Sequence, residues 1–442
     1  MLQTFRKAFQ IEDIRRKILY TLAMLFVVRL GSQLPTPGVD PTYIQNFFAN
    51  QTGDSFNFFN AFTGGSFETM SIFALSITPY IPSSIIIQLL TVVFPALEEM
   101  RKDGKTGMDR YKRLINITGG VLGILQAVSM AIGLGGRGLL DPYNWKTVLA
   151  ATLIWSVGGI FIIFLGEFLE KLEIGSGISM ILFCNIVSSI PSDLTGIWEY
   201  ASVKNRTGMI VTCIAAAVLA VAVLTICVVC QETVKKLQVV QTRKTVAGSD
   251  STFPIPLLTC SVMPVIFAGS MMSFPILVAQ FVPKLQEGLI GKVIRALNTS
   301  MWFRPDMPKY TVGAALYLIL TILFTYFYLD IGFNPVEIAD NLKKQGGVIP
   351  GIRPGRPTAD YIGRLSRKVA MRGNLIMVAV VLASYGICNA AGIGSVSIAG
   401  TSSFICANVA LEEYKKVRAG LALRSMGRKN FLIPAGLAKT YR

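Results

Sequence analysis

Ten separate stretches of this chain are each apolar for long enough to cross a bilayer, and that limits the fold more than any other feature. They fall near 16–34, 75–94, 114–135, 147–167, 175–192, 208–230, 256–282, 311–330, 369–388 and 394–411. A spanning helix needs about 20 mostly apolar residues. Only 15% of the chain is charged, against about 25% in a soluble domain. The expected class is an all-α membrane protein. The opening run has no small-residue cleavage site after it, so Ile18–Leu30 reads as the heart of a retained first helix.

The basic residues orient these spans. Arg6, Lys7, Arg15, Arg16 and Lys17 precede the first, and 30–100 contains no Lys or Arg. Basic clusters then follow at 101–113, 231–254, 331–368 and 412–442. Under a ten-span count all of these lie on one side, which makes both termini cytoplasmic. The loop at 283–310, with Lys284, Lys292, Arg295, Arg304 and Lys309, is a partial exception on the far side. Two sets of five spans have opposite topology, the arithmetic of an inverted repeat.

The second span has an unusual approach. Residues 56–77 are apolar and aromatic but include Gly64, Gly65 and Glu68, and they run directly into Pro79 and Pro82. The whole is too long for one crossing, and Gly-Gly and Pro interrupt helices. A short re-entrant helix followed by a full span fits best, because irregular backbone at membrane depth must be covered by protein or line a cavity. The alternative is an amphipathic helix on the outer surface.

Several chemistries are excluded or disfavoured. There is no histidine, which removes the commonest general base and metal ligand. Seven cysteines are scattered through apolar runs; Cys227 and Cys230 form a lone C-x-x-C without a second pair, and packing explains them. Gly133, Gly135 and Gly138 fit a dinucleotide fingerprint but follow a helix, not a strand. Arg29, Lys146, Glu167, Asp330 and Arg372 sit near span ends, and the span centres offer Gln88, Gln126, Asn185 and Ser270 instead. A secondary transporter of inverted repeats, the competing reading, needs a charged or unwound site at mid-depth. An intramembrane enzyme needs catalytic groups that are absent. No enzyme activity, metal or cofactor is expected.

The segment GFNPVEIADNLKKQGGVIPGIRPGRPTADYI between the eighth and ninth spans resembles the SecY family, the channel subunit of the bacterial Sec translocon. Three further segments resemble it: DIRRKILYTLAMLFVVRLGSQLPTPGVD at 13–40, NAFTGGSFETMSIFALSITPYIPSSIIIQLLTVVFP at 60–95 and EIGSGISMILFCNIVSSIP at 173–191. The resemblance covers nearly the whole chain. It implies an hourglass of ten helices in two inverted pseudo-symmetric halves, 1–200 and 201–442, hinged between the fifth and sixth spans, with a lateral gate between spans two/three and seven/eight.

The resemblance also assigns residues. Ile77, Ile81, Leu182, Ile186, Ile266 and Ile405 form an aliphatic ring at the waist. The spacing agrees in part, since 77/81 and 182/186 are i,i+4 pairs; ordinary helix packing is the plain alternative. A plug near 57–70 carries Asn60, Phe62, Gly64, Gly65, Phe67 and Met70. Gln88, Gln126 and Ser270 line the gate. Lys235, Lys236, Arg243, Lys244, Lys343, Lys344, Arg353 and Arg356 face the SecA motor and the ribosome with its RNA phosphates. SecE and SecG subunits, signal sequences, nascent polypeptides and membrane lipids are the other partners, and the bacterial inner membrane is the location. The loop ETVKKLQVVQTRKTVAGSD lacks the family's Arg-Arg-Ile-Pro-Val run, and the segment from Asn408 onward also departs from the common pattern.

Overall fold

The computed structural model describes residues 11–40, 60, 62–172, 176–202, 206–241, 251–258, 263–281, 288–299, 302–303, 308–344, 346–391 and 401–430. Its helices are α1 (Glu12–Gln33), α2 (Tyr80–Val93), α3 (Pro95–Lys102), α4 (Gly104–Leu134), α5 (Trp145–Lys171), α6 (Gly177–Ser202) and α7 (Arg206–Glu232). They continue as α8 (Met263–Phe281), α9 (Gly288–Leu297), α10 (Val312–Gly332), α11 (Pro335–Lys344), α12 (Arg356–Ala391) and α13 (Thr401–Asn430). Each of the ten expected spans overlaps one helix: α1, α2, α4 to α8, α10, α12 and α13. Among the described residues, five helices are long and apolar enough to cross a membrane, and six if α2 and α3, bent by 107°, count as one span; Gly177–Pro191 and Met263–Ile276 are shorter apolar helices.

Four boundaries differ from expectation. The second span was placed at 75–94, but its helix starts at Tyr80, because Pro79 stands at the N-cap and Pro82 in the first turn. The seventh was placed from 256, but Ser251–Pro256 is a strand and the helix starts at Met263. The fourth helix, α4, starts ten residues before its expected span and carries Lys105, Arg110, Lys112 and Arg113 beyond the apolar part. The last helix runs to Asn430 instead of giving way to a tail at 412, since LEEYKKVRAGLALR is rich in strong helix formers and Lys416 pairs with Glu412 at i,i+4.

Helices from the two halves of the chain meet along two seams. On one, α8 packs against α2 and α4; on the other, α13 packs against α6, which also contacts α7. The largest apolar cluster draws on both halves, from Val28 and Phe62 to Phe404 and Val409.

The chain also builds a small sheet that the sequence pattern did not announce. β1 (Val234–Gln241) and β2 (Ser251–Pro256) form an antiparallel hairpin, and β3 (Gly347–Val348) pairs with the far end of β1, Val240 opposite Val348. The two basic loops at 231–254 and 331–368 are therefore one body. Leu237, Ile349 and Ile362 are its core, covered by Phe253, Phe333, Leu342 and Ile352. Asn334 and Pro335 explain where α11 starts: the Asn334 carboxamide oxygen accepts from the N–H groups of Val336 and Glu337, and Pro335 takes the first helical position, which needs no N–H.

Candidate functional site

The stretch from Phe62 to Pro79 is irregular, yet almost entirely buried. Phe62, Thr63, Ser66, Phe67, Met70, Ser71, Phe73, Ala74, Leu75, Ser76 and Ile77 are all 7% exposed or less. That burial excludes an exposed amphipathic helix. Short i→i−3 turns satisfy the backbone, Ala74 to Ser71, Ser76 to Phe73, Thr78 to Leu75 and Tyr80 to Ile77. Met70 and Ser76 adopt positive φ, at 42° and 44°, as do Gly64 and Gly65 at 65° and 84°. Strain of this kind persists only where surrounding contacts hold it.

Those contacts come from three helices. At the end of α1, Thr36 N–H donates to the Met70 carbonyl at 3.1 Å and Ile72 N–H to the Leu34 carbonyl at 3.0 Å. Trp155 of α5 fixes this edge by donating its indole N–H to Thr36 Oγ1 at 2.9 Å. Deeper in, Arg29 Nη1 donates to the Gly64 carbonyl at 2.7 Å. From α6, Asn185 Nδ2 donates to the Phe62 carbonyl at 2.8 Å and to Ser76 Oγ at 3.0 Å. Asn60 and Glu68 close the segment on itself through a 2.7 Å bond. Residues 57–59 and 61 of the expected plug lie outside the described residues.

The six candidate ring residues all belong to one large apolar cluster or pack against it. Ile77, Ile81, Leu182, Ile186 and Ile405 are buried members of the largest cluster, Ile266 packs against it partly buried, and Phe62 belongs to the same cluster. They come from the approach to α2, from α2 itself, and from α6, α8 and α13. The cluster extends well beyond these six, to Trp302 and Val381 for instance.

The candidate gate residues fall on the seam of α2, α4 and α8. Gln88 is half-buried, and its Oε1 accepts a 2.5 Å hydrogen bond from Tyr328 Oη of α10. Tyr328 in turn packs its ring on Phe267 of α8, centroids 5.0 Å apart. Gln126 has a buried Oε1 that finds no partner among the described residues, and Ser270 is half-buried on α8. A second bond spans the same seam: Arg101 Nη2 of α3 donates to the Ile331 carbonyl at the end of α10, at 3.2 Å. Beside it, the Lys102 ammonium holds the exposed Glu98 carboxyl below its usual range.

The described basic candidates are all exposed around the sheet: Lys235 and Lys236 on β1, Lys343 and Lys344 in the last turn of α11, Arg353 in a turn and Arg356 at the start of α12. Arg353 stands between Gly351 and Gly355, both at positive φ, and the Thr358 hydroxyl donates to its carbonyl at 2.8 Å. Arg243 and Lys244 lie outside the described residues.

Sequence reasoning missed Tyr328, Arg101, Trp155 and the role of Arg29. Arg29 was expected simply to mark a span end; its contact with the Gly64 carbonyl, 35 residues away, appears only in the packed fold. Nothing in the sequence announces that Tyr328 reaches Gln88, because 240 residues separate them. Among the described residues, no group of three or more His, Cys, Asp or Glu could hold a metal ion, and the described cysteines are unbridged.

Residues 71–414 match the family model described as SecY. The protein translocase subunit SecY of Corynebacterium glutamicum is 33% identical over 445 residues, covering 94% of this chain and 97% of that protein. Among solved structures, one described as a protein-conducting channel aligns with TM-score 0.67 at 15% identity, covering 91% of each chain. Sec61 in a canine ribosome–channel complex from the endoplasmic reticulum aligns with TM-score 0.63 at 14% identity, again over 91% of each.

Proposed function

The chain belongs to the SecY family, and from that premise we propose how its own residues carry out the work of a protein-conducting channel. It is the pore-forming subunit of a multi-pass membrane translocase and not an enzyme. The proposal concerns the residues. Ile77, Ile81, Leu182, Ile186, Ile266 and Ile405 form the constriction through which an unfolded polypeptide passes. What supports this is their shared cluster, joined by Phe62 of the plug segment. Aliphatic walls impose no hydrogen-bond pattern on the passing chain, and an empty apolar waist dewets and so resists ions. The test is disulfide crosslinking of a stalled secretory chain to cysteine at Ile81 and Ile405. Capture at both positions is expected; capture at neither removes the constriction from these residues.

The remaining assignments follow. The segment around 57–70 is the plug, and it carries Asn60, Phe62, Gly64, Gly65, Phe67 and Met70. Residues 1–200 and 201–442 are the two inverted halves, and they part along the seam of α2, α4, α8 and α10 to release apolar segments sideways into lipid. Gln88, Gln126 and Ser270 make that seam slightly polar. Tyr328→Phe removes the bond to Gln88 without changing ring packing. One neutral hydrogen bond contributes about 1 kcal/mol, so the gate should open several times more readily. Membrane insertion of a weakly apolar segment should rise by a similar factor, and an unchanged insertion threshold would count against the bond as a gate contact.

Both termini and the sheet face the cytoplasm. Lys235, Lys236, Lys343, Lys344, Arg353 and Arg356, with Arg243 and Lys244 of the same loop, receive the ribosome and its RNA phosphates or the SecA motor. SecE and SecG complete the complex in the bacterial inner membrane. A ribosome-bound relative of the same fold supports the first of these partners. The chain carries no nucleotide-binding motif of its own, so the driving energy comes from the partner. Arg353 is held outward by a pinned turn, and guanidinium pairs with carboxylate and phosphate in bidentate fashion. Arg353→Glu should reduce motor-driven export at least tenfold while the chain still inserts and assembles. Normal export would refute the contact.

A further inference from the structure

Asn185 is the one side-chain amide placed between two residues of the proposed constriction on the same helix, three positions after Leu182 and one before Ile186. It is fully buried. An amide buried to this degree is retained only if it is paired. Both of its donors are used: Nδ2 reaches the Phe62 carbonyl at 2.8 Å and Ser76 Oγ at 3.0 Å. Its Oδ1 is buried and accepts no hydrogen bond among the described residues. The contact to the plug is with backbone, not with a side chain. The neighbouring contact from Arg29 is of the same kind, to the Gly64 carbonyl.

We propose that Asn185 is a peptide-backbone binding site, filled by the plug at rest and by the translocating chain in transit. The inference rests on the constriction assigned above and deepens it. A peptide unit offers one carbonyl and one N–H, and a side-chain amide is its chemical complement. Among the described residues the plug supplies only the carbonyl, which leaves Oδ1 unfilled there. When the plug withdraws, Nδ2 loses Phe62 and keeps only Ser76, and the amide then faces the constriction with a donor and an acceptor both unfilled. An extended chain passing Leu182 and Ile186 brings a carbonyl and an N–H within reach of the same group. Because every residue except proline has both, the site discriminates against no sequence. It holds a chain through weak, repeated bonds that form and break as each residue passes.

The test uses the complete channel with its partner subunits in liposomes, and a secretory substrate carrying a signal sequence and a folded stopper domain. Two quantities are read: resting ion conductance without substrate, and the rate at which the stalled substrate slides back when the motor is quenched. Asn185→Leu keeps the size and removes the amide; Asn185→Asp keeps the shape and removes the donors, in case the leucine variant fails to assemble. Both should raise resting conductance and speed backsliding severalfold. Arg29→Ala loosens the plug from outside the constriction and should raise resting conductance alone. If the Asn185 variants alter resting conductance but not backsliding, or if Arg29→Ala speeds backsliding equally, the shared site is overturned. If neither quantity moves, it is overturned too. Loss of substrate crosslinks to cysteine at Ile81 and Ile405 in the otherwise native channel is a separate result, and it would fell the constriction itself.

Discussion

Serine in place of Ile81, Ile186 and Ile405 together raises the resting ion conductance of the reconstituted channel by about tenfold or more, because the seal is a dewetted gap and depends on apolar walls. The three residues come from α2, α6 and α13, so each exchange wets a different wall of the same constriction. Burying an isoleucine side chain is worth about 1.5–3 kcal/mol relative to leaving it in water, and a serine hydroxyl reverses the preference of the site for being dry. Three such changes remove more free energy than the tenfold effect requires, since about 1.4 kcal/mol is a factor of ten. All three side chains are 9% exposed or less, and they share one cluster with Phe62 of the plug. The same exchange at Ile162, Val381 and Met377, buried members of that cluster outside the proposed ring, should destabilise the helices without opening an ion path. Conductance after detergent-stable assembly separates the two cases. If the ring triple leaves resting conductance unchanged, these side chains pack helices and do not seal a pore.

The parts of this protein that follow local rules were legible from residues alone. Apolar length gave a helix at each of the ten expected spans. Pro79, Pro82, Gly64 and Gly65 gave the broken approach to the second span, because each acts on its own backbone. One boundary was decided by a neighbour: the seventh span was placed from 256, but Pro256 ends the strand Ser251–Pro256, which exists because β1 lies beside it, with Lys236 opposite Pro254. The candidate site divided the same way. The aliphatic positions were found through the family resemblance and one helical spacing, whereas the polar contacts that seat the plug were not. Arg29, Thr36, Trp155 and Asn185 reach across 35, 34, 119 and 123 residues to their partners. Periodicity carries no information over such separations; only the packed fold brings the donors to the carbonyls.

Gly64→Val should unseat the plug, and it separates the fit of the segment from its backbone freedom. Gly64 has φ +65°, and a Cβ there would lie 2.8 Å from Arg29 Nη1, 2.9 Å from Asn185 Cα and 3.0 Å from Asn185 Cβ. The guanidinium can swing away, but it then abandons the Gly64 carbonyl; the Asn185 backbone belongs to α6 and cannot move without the helix. A left-handed conformation costs a branched residue about 1–2 kcal/mol, and an abandoned charge-assisted bond contributes about 1.5–3 kcal/mol more. Their sum of roughly 3 kcal/mol or above shifts the closed-to-open ratio by about a hundredfold. The valine channel should therefore leak at rest and accept substrates whose signal sequences are too weak for the native protein. Gly65 supplies the internal control. Its φ is +84°, but a Cβ there meets nothing within 4 Å, so Gly65→Asn, a residue that tolerates this conformation, should leave the seal nearly intact. Equal leaks from the two variants would mean that backbone freedom of the segment, rather than the fit of Gly64 against Arg29 and α6, keeps the channel closed.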